Sequence, residues 1–251
     1  MNIWLASGNK HKQQELAAIF ADHTLKIPAD AGVTGFDPPE TGANFAENAL
    51  IKAGALYNML NLSSGCPGNH GPVLADDSGL CVDALGGRPG VYSARYYGKD
   101  SWDSNGTFRP FGETRPNGAA QPGGRPPLDG MTLKNISDEE RNSLLLEEIA
   151  AALEKRPQGA MPLQGTGARG CRFVCAMVLF YSKDRFFLVQ ETLEGEIVPS
   201  AAEIRGRGGF GYDPIMYLPE LGRTVAELPE EEKNRLSHRG KAGRAIAKLL
   251  L

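Results

Sequence analysis

The sequence predicts an α/β chain, because strand-like apolar runs and helix-period segments follow one another from its first residues to its last. Three observations carry this. Residues 2–6 form an apolar run that stops at Ser7-Gly8-Asn9-Lys10-His11-Lys12, after which Leu16, Ile19 and Phe20 recur at helical spacing. Residues 171–181 and 185–192 are two β-rich runs joined by Ser182-Lys183-Asp184, the pattern of a hairpin. A last segment from Ser237 places Ala242, Ala245, Ile246, Leu249 and Leu250 on one helical face.

At 251 residues the chain is long enough to bury a sizeable core, and 41% hydrophobic with 23% charged residues is the composition of an ordinary soluble protein. A net charge of −3 gives no general attraction to nucleic acid or to an anionic membrane, so neither is expected as a partner. The N-terminus lacks the basic start and long apolar core of a signal peptide, and the longest apolar run, residues 173–181, is too short to span a bilayer. Cys66, Cys81, Cys171 and Cys175 show no C-x-x-C pairing, which suggests neither zinc nor a disulfide framework and points to a reducing cytoplasm.

Taken in order, the polar loop Ser7 to Lys12 lies between a strand end and a helix start. Outward N–H groups and two lysines there suit a phosphate; an ordinary helix start with solvated lysines is the alternative. A second helix opens after Glu40-Thr41-Gly42, with Thr41 as its expected N-cap. Asn44, Glu47, Asn48 and Lys52 share one helical face, read as a solvated stripe, while Phe45, Ala49, Ala53 and Leu56 line the apolar one. Glu40, just outside that helix, is a candidate metal ligand or a plain surface glutamate.

Pro72-Val73-Leu74 then leads into Ala75-Asp76-Asp77-Ser78-Gly79, which reads as a short buried strand stopping at a polar rim. Strand side chains alternate, so Asp76 and Asp77 cannot both face one ligand: one can coordinate a cation or polarise water while the other orients the loop. A Ser-Gly turn capped by two aspartates is the alternative. Residues 80–83 read as a further strand. The stretches at about 100–131 and 156–170 are rich in Gly and Pro, poor in aliphatics, and expected to be flexible insertions in a single domain. Between them Ser137 and Glu140 form a capping box for a helix through Leu144, Leu145 and Ile149, and Glu196-Ile-Val adds a possible strand. Gly206-Arg-Gly-Gly-Phe-Gly211 matches G-x-G-x-x-G, but Tyr212-Asp213-Pro214 prevents the helix that a dinucleotide motif must open. A loop presenting Phe210, Tyr212 and Asp213 to a flat, base-like ligand fits better. Lys233, His238 and Arg239 stand as cations beside two helix starts, where surplus positive charge favours an anionic ligand.

The order of these motifs carries a resemblance. Ser-Gly-Asn-Lys-His-Lys, Glu-Thr-Gly-x-x-Phe-x-Glu-Asn-Ala, Ala-Asp-Asp-Ser-Gly-Leu, Pro-Gly-Val-Tyr-Ser-Ala-Arg-Tyr, Gly-Phe-Gly-Tyr-Asp-Pro-Ile and Glu-Lys-Asn-x-x-Ser-His-Arg-Gly-Lys-Ala occur in sequence. Together they resemble the inosine triphosphate pyrophosphatase family, enzymes that clear non-standard purine nucleoside triphosphates. Ser7 stands where the family usually has Thr, and the two Gly/Pro-rich loops are longer than usual. The resemblance implies a long twisted mixed β-sheet flanked by helices, two lobes with an active-site cleft between them, and a homodimer. It implies Mg²⁺-dependent hydrolysis of ITP, dITP and XTP to the monophosphate and pyrophosphate. Carried over by motif position, Ser7, Gly8, Asn9, Lys10, His11 and Lys12 bind the phosphates, and Glu40 and Asp77 hold the metal. Asp77 is also the proton acceptor, Ser78 contacts substrate, and Phe210, Gly211, Tyr212, Asp213, Lys233, His238 and Arg239 bind the nucleotide, with Phe210 stacking on the base. A nucleotide-binding protein without turnover is the competing class; the presence of both Asp77 and Glu40 favours the enzyme.

Overall fold

A computed structural model describes residues 1–64, 70–103, 106–109, 136–156 and 167–250. In chain order the principal elements are β1 (Asn2–Leu5), α1 (Lys10–Ile19), β2 (Thr24–Lys26), α2 (Phe45–Ser64), β3 (Val73–Val82), α3 (Asp138–Glu154), β4 (Gly170–Ser182), β5 (Arg185–Ile197), β6 (Met216–Leu218), β7 (Arg223–Thr224), α4 (Glu230–Leu236) and α5 (His238–Ala247). The strands form one seven-stranded sheet in the order β2-β1-β3-β4-β5-β6-β7, flanked by helices. It is mixed: β1 runs parallel to β2 and to β3, whereas β5–β6 and β6–β7 are antiparallel. No described helix is long and apolar enough to cross a membrane.

The chain divides into two compact units. The first comprises Met1–Leu80, Arg172–Glu194 and Pro229–Leu251. Its core is built by period: Ile3 and Leu5 of β1 alternate toward it, as do Cys175, Met177 and Leu179 of β4. Leu16 and Phe20 from α1, and Ala242 and Ile246 from α5, meet them at helical spacing. The expected last-helix face extends one turn too far, since Leu249 is exposed in a short 3₁₀ turn after α5. The second unit comprises Cys81–Cys171 and Gly195–Leu228. There α3 buries Leu145 and Ile149, and its N-cap is the expected one, with Ser137 Oγ accepting from Glu140 N.

Three expectations are corrected. Strand β3 does not stop at a polar rim but runs unbroken through Asp76-Asp77-Ser78-Gly79 to Val82, absorbing the second strand expected at residue 80. Both carboxylates are buried and paired, so the strand has no need to end where charge begins. Helix α2 starts at Phe45, and Asn44 rather than Thr41 closes its first turn. Asn44 Oδ1 accepts from Glu47 N while Glu47 Oε2 accepts from Ala43 N. The Gly/Pro-rich stretch is anchored at its start: Phe108 stacks on Tyr92 at 4.1 Å and meets Trp102 edge-on, so aromatic contact supplies what the missing aliphatics do not. Residues 110–135 and 157–166 of the two expected insertions lie outside the described residues. The expected strand at Glu196-Ile-Val is the end of β5.

Candidate functional site

The end of β1 is tied to β3 by Ala6 N donating to Leu74 O at 2.8 Å, which sets the following loop beside β3. Asn9 then caps α1, its Oδ1 accepting from His11 N (2.9 Å) and Lys12 N (3.2 Å). Two of the helix-start donors expected to face a phosphate are therefore already bonded within the chain. Gly8, Asn9, Lys10 and His11 are exposed, Ser7 and Lys12 partly buried. Lys12 reaches back to β3, Nζ lying 2.8 Å from Asp76 Oδ2.

Strand alternation divides the acidic pair. Asp76 and Ser78 share a face and both meet Arg239, which donates from Nε to Asp76 Oδ2 (3.3 Å) and through a terminal nitrogen to Ser78 Oγ (2.8 Å). Arg239 also donates to Glu15 Oε2 at 2.5 Å, and Glu15 Oε1 lies 3.6 Å from Lys233 Nζ. Asp77 bonds instead to α2: its Oδ1 accepts from Lys52 Nζ at 2.7 Å and its Oδ2 from Asn48 Nδ2 at 3.1 Å. The same Lys52 Nζ donates to Glu40 Oε1 at 3.0 Å. The two expected metal ligands, Glu40 and Asp77, thus converge on one ammonium group.

Burial and charge pull the two aspartates apart. For Asp76 burial raises the pKa, but Lys12, Arg239 and Lys52 together outweigh it and hold the carboxyl well below the ordinary range. For Asp77 burial wins: the pKa is raised, with Glu40 adding to burial and Lys52 opposing. Lys52 is raised as well, its burial outweighed by Asp77, Asp76 and Glu40. The thiol of Cys175 is pushed up to about 12 by burial and then by Asp76, so it is no nucleophile at neutral pH.

His238 is not the surface cation expected. It is buried, its ring stacks on Phe173 at 4.9 Å, and burial followed by the neighbouring Arg239 pushes its pKa well below the ordinary histidine value. Among the described residues, Lys12, Lys52, Lys233 and Arg239 each lie against a carboxylate of Glu15, Glu40, Asp76 or Asp77, and burial favours the neutral form of His238.

Gly206 to Gly211 opens no helix, in line with rejection of the dinucleotide motif. The loop belongs to the second unit and is bonded inside it. Phe210 N donates to Asp213 Oδ2, Gly211 N to Asp138 Oδ2, and Asn142 Nδ2 to Gly211 O. Tyr212 and Asp213 are buried, the Tyr212 hydroxyl donating to Ser93 O at 2.8 Å, so they shape the loop and leave Phe210, partly buried, as the side chain it can present.

Sequence reasoning missed Glu15, Asn48 and Lys52 as parts of the cluster. A polar helix face is normally solvated, and only the partner strand shows that the face bearing Asn48 and Lys52 is buried against Asp77. The signal available was spacing: Asn48 and Lys52 are one turn apart, as are Lys12 and Glu15.

A family model described as the Ham1 family matches residues 3–116 and 130–249. A dITP/XTP pyrophosphatase of Treponema denticola is 38% identical over 250 residues, covering 100% of this chain and 98% of that protein. One from Thermus thermophilus is 39% identical, covering 98% of this chain and 90% of the relative. The solved structure of a HAM1 protein from Coxiella burnetii superposes with a TM-score of 0.69 at 32% identity, covering 100% of this chain and 98% of that one. With the family model matched almost from end to end, the chain belongs to the Ham1 family.

Proposed function

We propose that this protein hydrolyses the non-standard purine nucleoside triphosphates dITP, XTP and ITP to the nucleoside monophosphate and pyrophosphate, using Mg²⁺. The relatives' names supply the substrate class. The observation that carries the reading is the cluster around β3, in which two carboxylates converge on one cation beside lysines and an arginine fit for phosphate oxygens.

The residues fit the metal. Glu40 and Asp77 offer hard oxygen donors aimed at a common point now held by Lys52 Nζ, and Mg²⁺ takes only one or two carboxylates while keeping several waters. The charge balance argues the same way. The cations of the cluster already lie against carboxylates, so a divalent cation arriving with the substrate would add positive charge for the triphosphate. Bound there, Mg²⁺ supplies neutralisation of phosphate oxygens and a lowered pKa for bound water.

The chain's own groups divide the remaining work. Asp77 accepts the proton of the attacking water, and burial, which raises its pKa, makes it a better base than an exposed aspartate. Lys12 and Lys233 exchange a carboxylate partner for a phosphate oxygen, and Asp76 and Glu15 hold them within reach through Arg239. Arg239 donates to the purine O6, which rejects the amino group of adenine because donor then meets donor.

A turnover screen of nucleoside triphosphates with and without Mg²⁺ tests this. The expected outcome is pyrophosphate released from dITP, XTP and ITP far faster than from dATP or dGTP, and only with the metal. Release of single phosphates, or equal rates for all purines, would overturn it.

A further inference from the structure

Asn48 touches the carriers of both proposed metal-binding carboxylates. It is fully buried, one turn before Lys52 on α2, and both ends of its amide are engaged. Oδ1 accepts from Gly42 N at 2.8 Å and Nδ2 donates to Asp77 Oδ2 at 3.1 Å. The two bonds set the amide's orientation. Turned over, its NH₂ would face a backbone N–H and its oxygen a carboxylate. Gly42 lies two residues after Glu40, and the approach leaves no room for a side chain: a Cβ there would meet Asn48 Oδ1 at 2.7 Å and Asn48 N at 2.8 Å. Lys52 bridges the same loop and strand, but its bonds end on the Glu40 and Asp77 carboxylates, where an added cation competes with it. The Asn48 bonds end on a backbone N–H and on the other oxygen of Asp77, so they survive that competition.

We propose that Asn48 is a positioning residue, holding the Glu40 loop and Asp77 in the placement that metal binding and proton acceptance require. The proposal rests on the function given above. Asn48→Ala is expected to lower kcat for dITP by about 10–100-fold, the usual cost of losing a group that orients a ligating carboxylate. KM should move little, because the phosphate-binding lysines are untouched. In an Asp77→Asn background the same change should cost less turnover than in the wild type, since one of the two acceptor oxygens at 77 is already an NH₂. A second readout needs neither metal nor nucleotide: the Gly42 amide, protected from hydrogen exchange in the wild type, should lose that protection in Asn48→Ala. Should Asn48→Ala fail to fold, Asn48→Asp separates the two ends. It still accepts from Gly42 but sets an acceptor against Asp77, so Gly42 stays protected while kcat falls. Unchanged Gly42 exchange in Asn48→Ala, a fully additive double variant, or wild-type kcat in Asn48→Asp would each overturn the proposal. Wild-type protein releasing no pyrophosphate would instead overturn the function, with Gly42 exchange still deciding whether Asn48 holds the loop.

Discussion

Asp76 and Asp77 are chain neighbours with opposite surroundings, and substitutions at the two should differ in kind. Asp77→Asn removes the proposed base and one metal ligand, and turnover should fall by about 10²–10⁴-fold. The structure adds a stability cost. Asp77 accepts from Lys52 and from Asn48, so an amide there sets one NH₂ against a donor, at about 1–3 kcal/mol. Urea unfolding and steady-state kinetics on the same preparation check both, and near-normal turnover would move the base elsewhere. Arg239→Ala leaves Asp76 and Glu15 each with a single lysine in a buried setting, and should cost about 3–5 kcal/mol. A change below 0.5 kcal/mol in the same unfolding experiment would show the network to be dispensable. The polar residues of the motifs were legible from order and type; their pairing was not. Nothing in Asn48, Lys52 or Glu15 as letters says that each is held by a group distant in the chain.

At the scale of the element, α5 shows how a helix start can be misread. Ser237 caps it, Oγ accepting from Gly240 N at 3.0 Å, but the residues after the cap are buried rather than solvated. Gly240 passes so close to α4 that a Cβ would fall 1.8 Å from Asn234 O, which turns His238 and Arg239 inward. The burial has a pH signature. His238 in the unfolded chain titrates near ~6.5, while in the fold it stays neutral well below that. Its contribution is therefore complete above pH ~6.5 and is lost as pH falls below it, because the unfolded chain binds a proton that the fold refuses. The slope approaches ~1.4 kcal/mol per pH unit. Asp77 acts in the opposite sense, its raised pKa favouring the fold below the ordinary carboxylate value and costing stability as pH rises past it. The difference between wild type and His238→Gln in urea unfolding, from pH 5 to 7, isolates the histidine. A pH-independent difference would show that His238 binds its proton equally in the folded and unfolded chain. Strand β3 teaches the same lesson, since tertiary partners, invisible in local patterning, carried the strand through two carboxylates.

At the scale of the molecule, Phe108 anchors the described start of the Gly/Pro-rich stretch. Replacing residues 110–130 by a short flexible linker should change stability by less than about 1 kcal/mol, because loop closure depends only weakly on length. Extending the deletion through Phe108 removes its stacking on Tyr92 and its contact with Trp102, and should cost about 1–3 kcal/mol more. Equal effects in thermal or urea unfolding would contradict that anchoring role. The last consequence comes from the balanced cluster around β3. Among the described residues, cations paired closely with carboxylates cast little field beyond the site, and the protein as a whole carries −3. A polyanion approaching through solution is therefore not drawn in from afar. It is recognised only on contact, when it displaces internal ion pairs one by one, and the on-rate of such a protein is set by diffusion and fit. Raising ionic strength at constant free Mg²⁺ should then leave kcat/KM nearly flat, where an electrostatically steered enzyme would fall steeply.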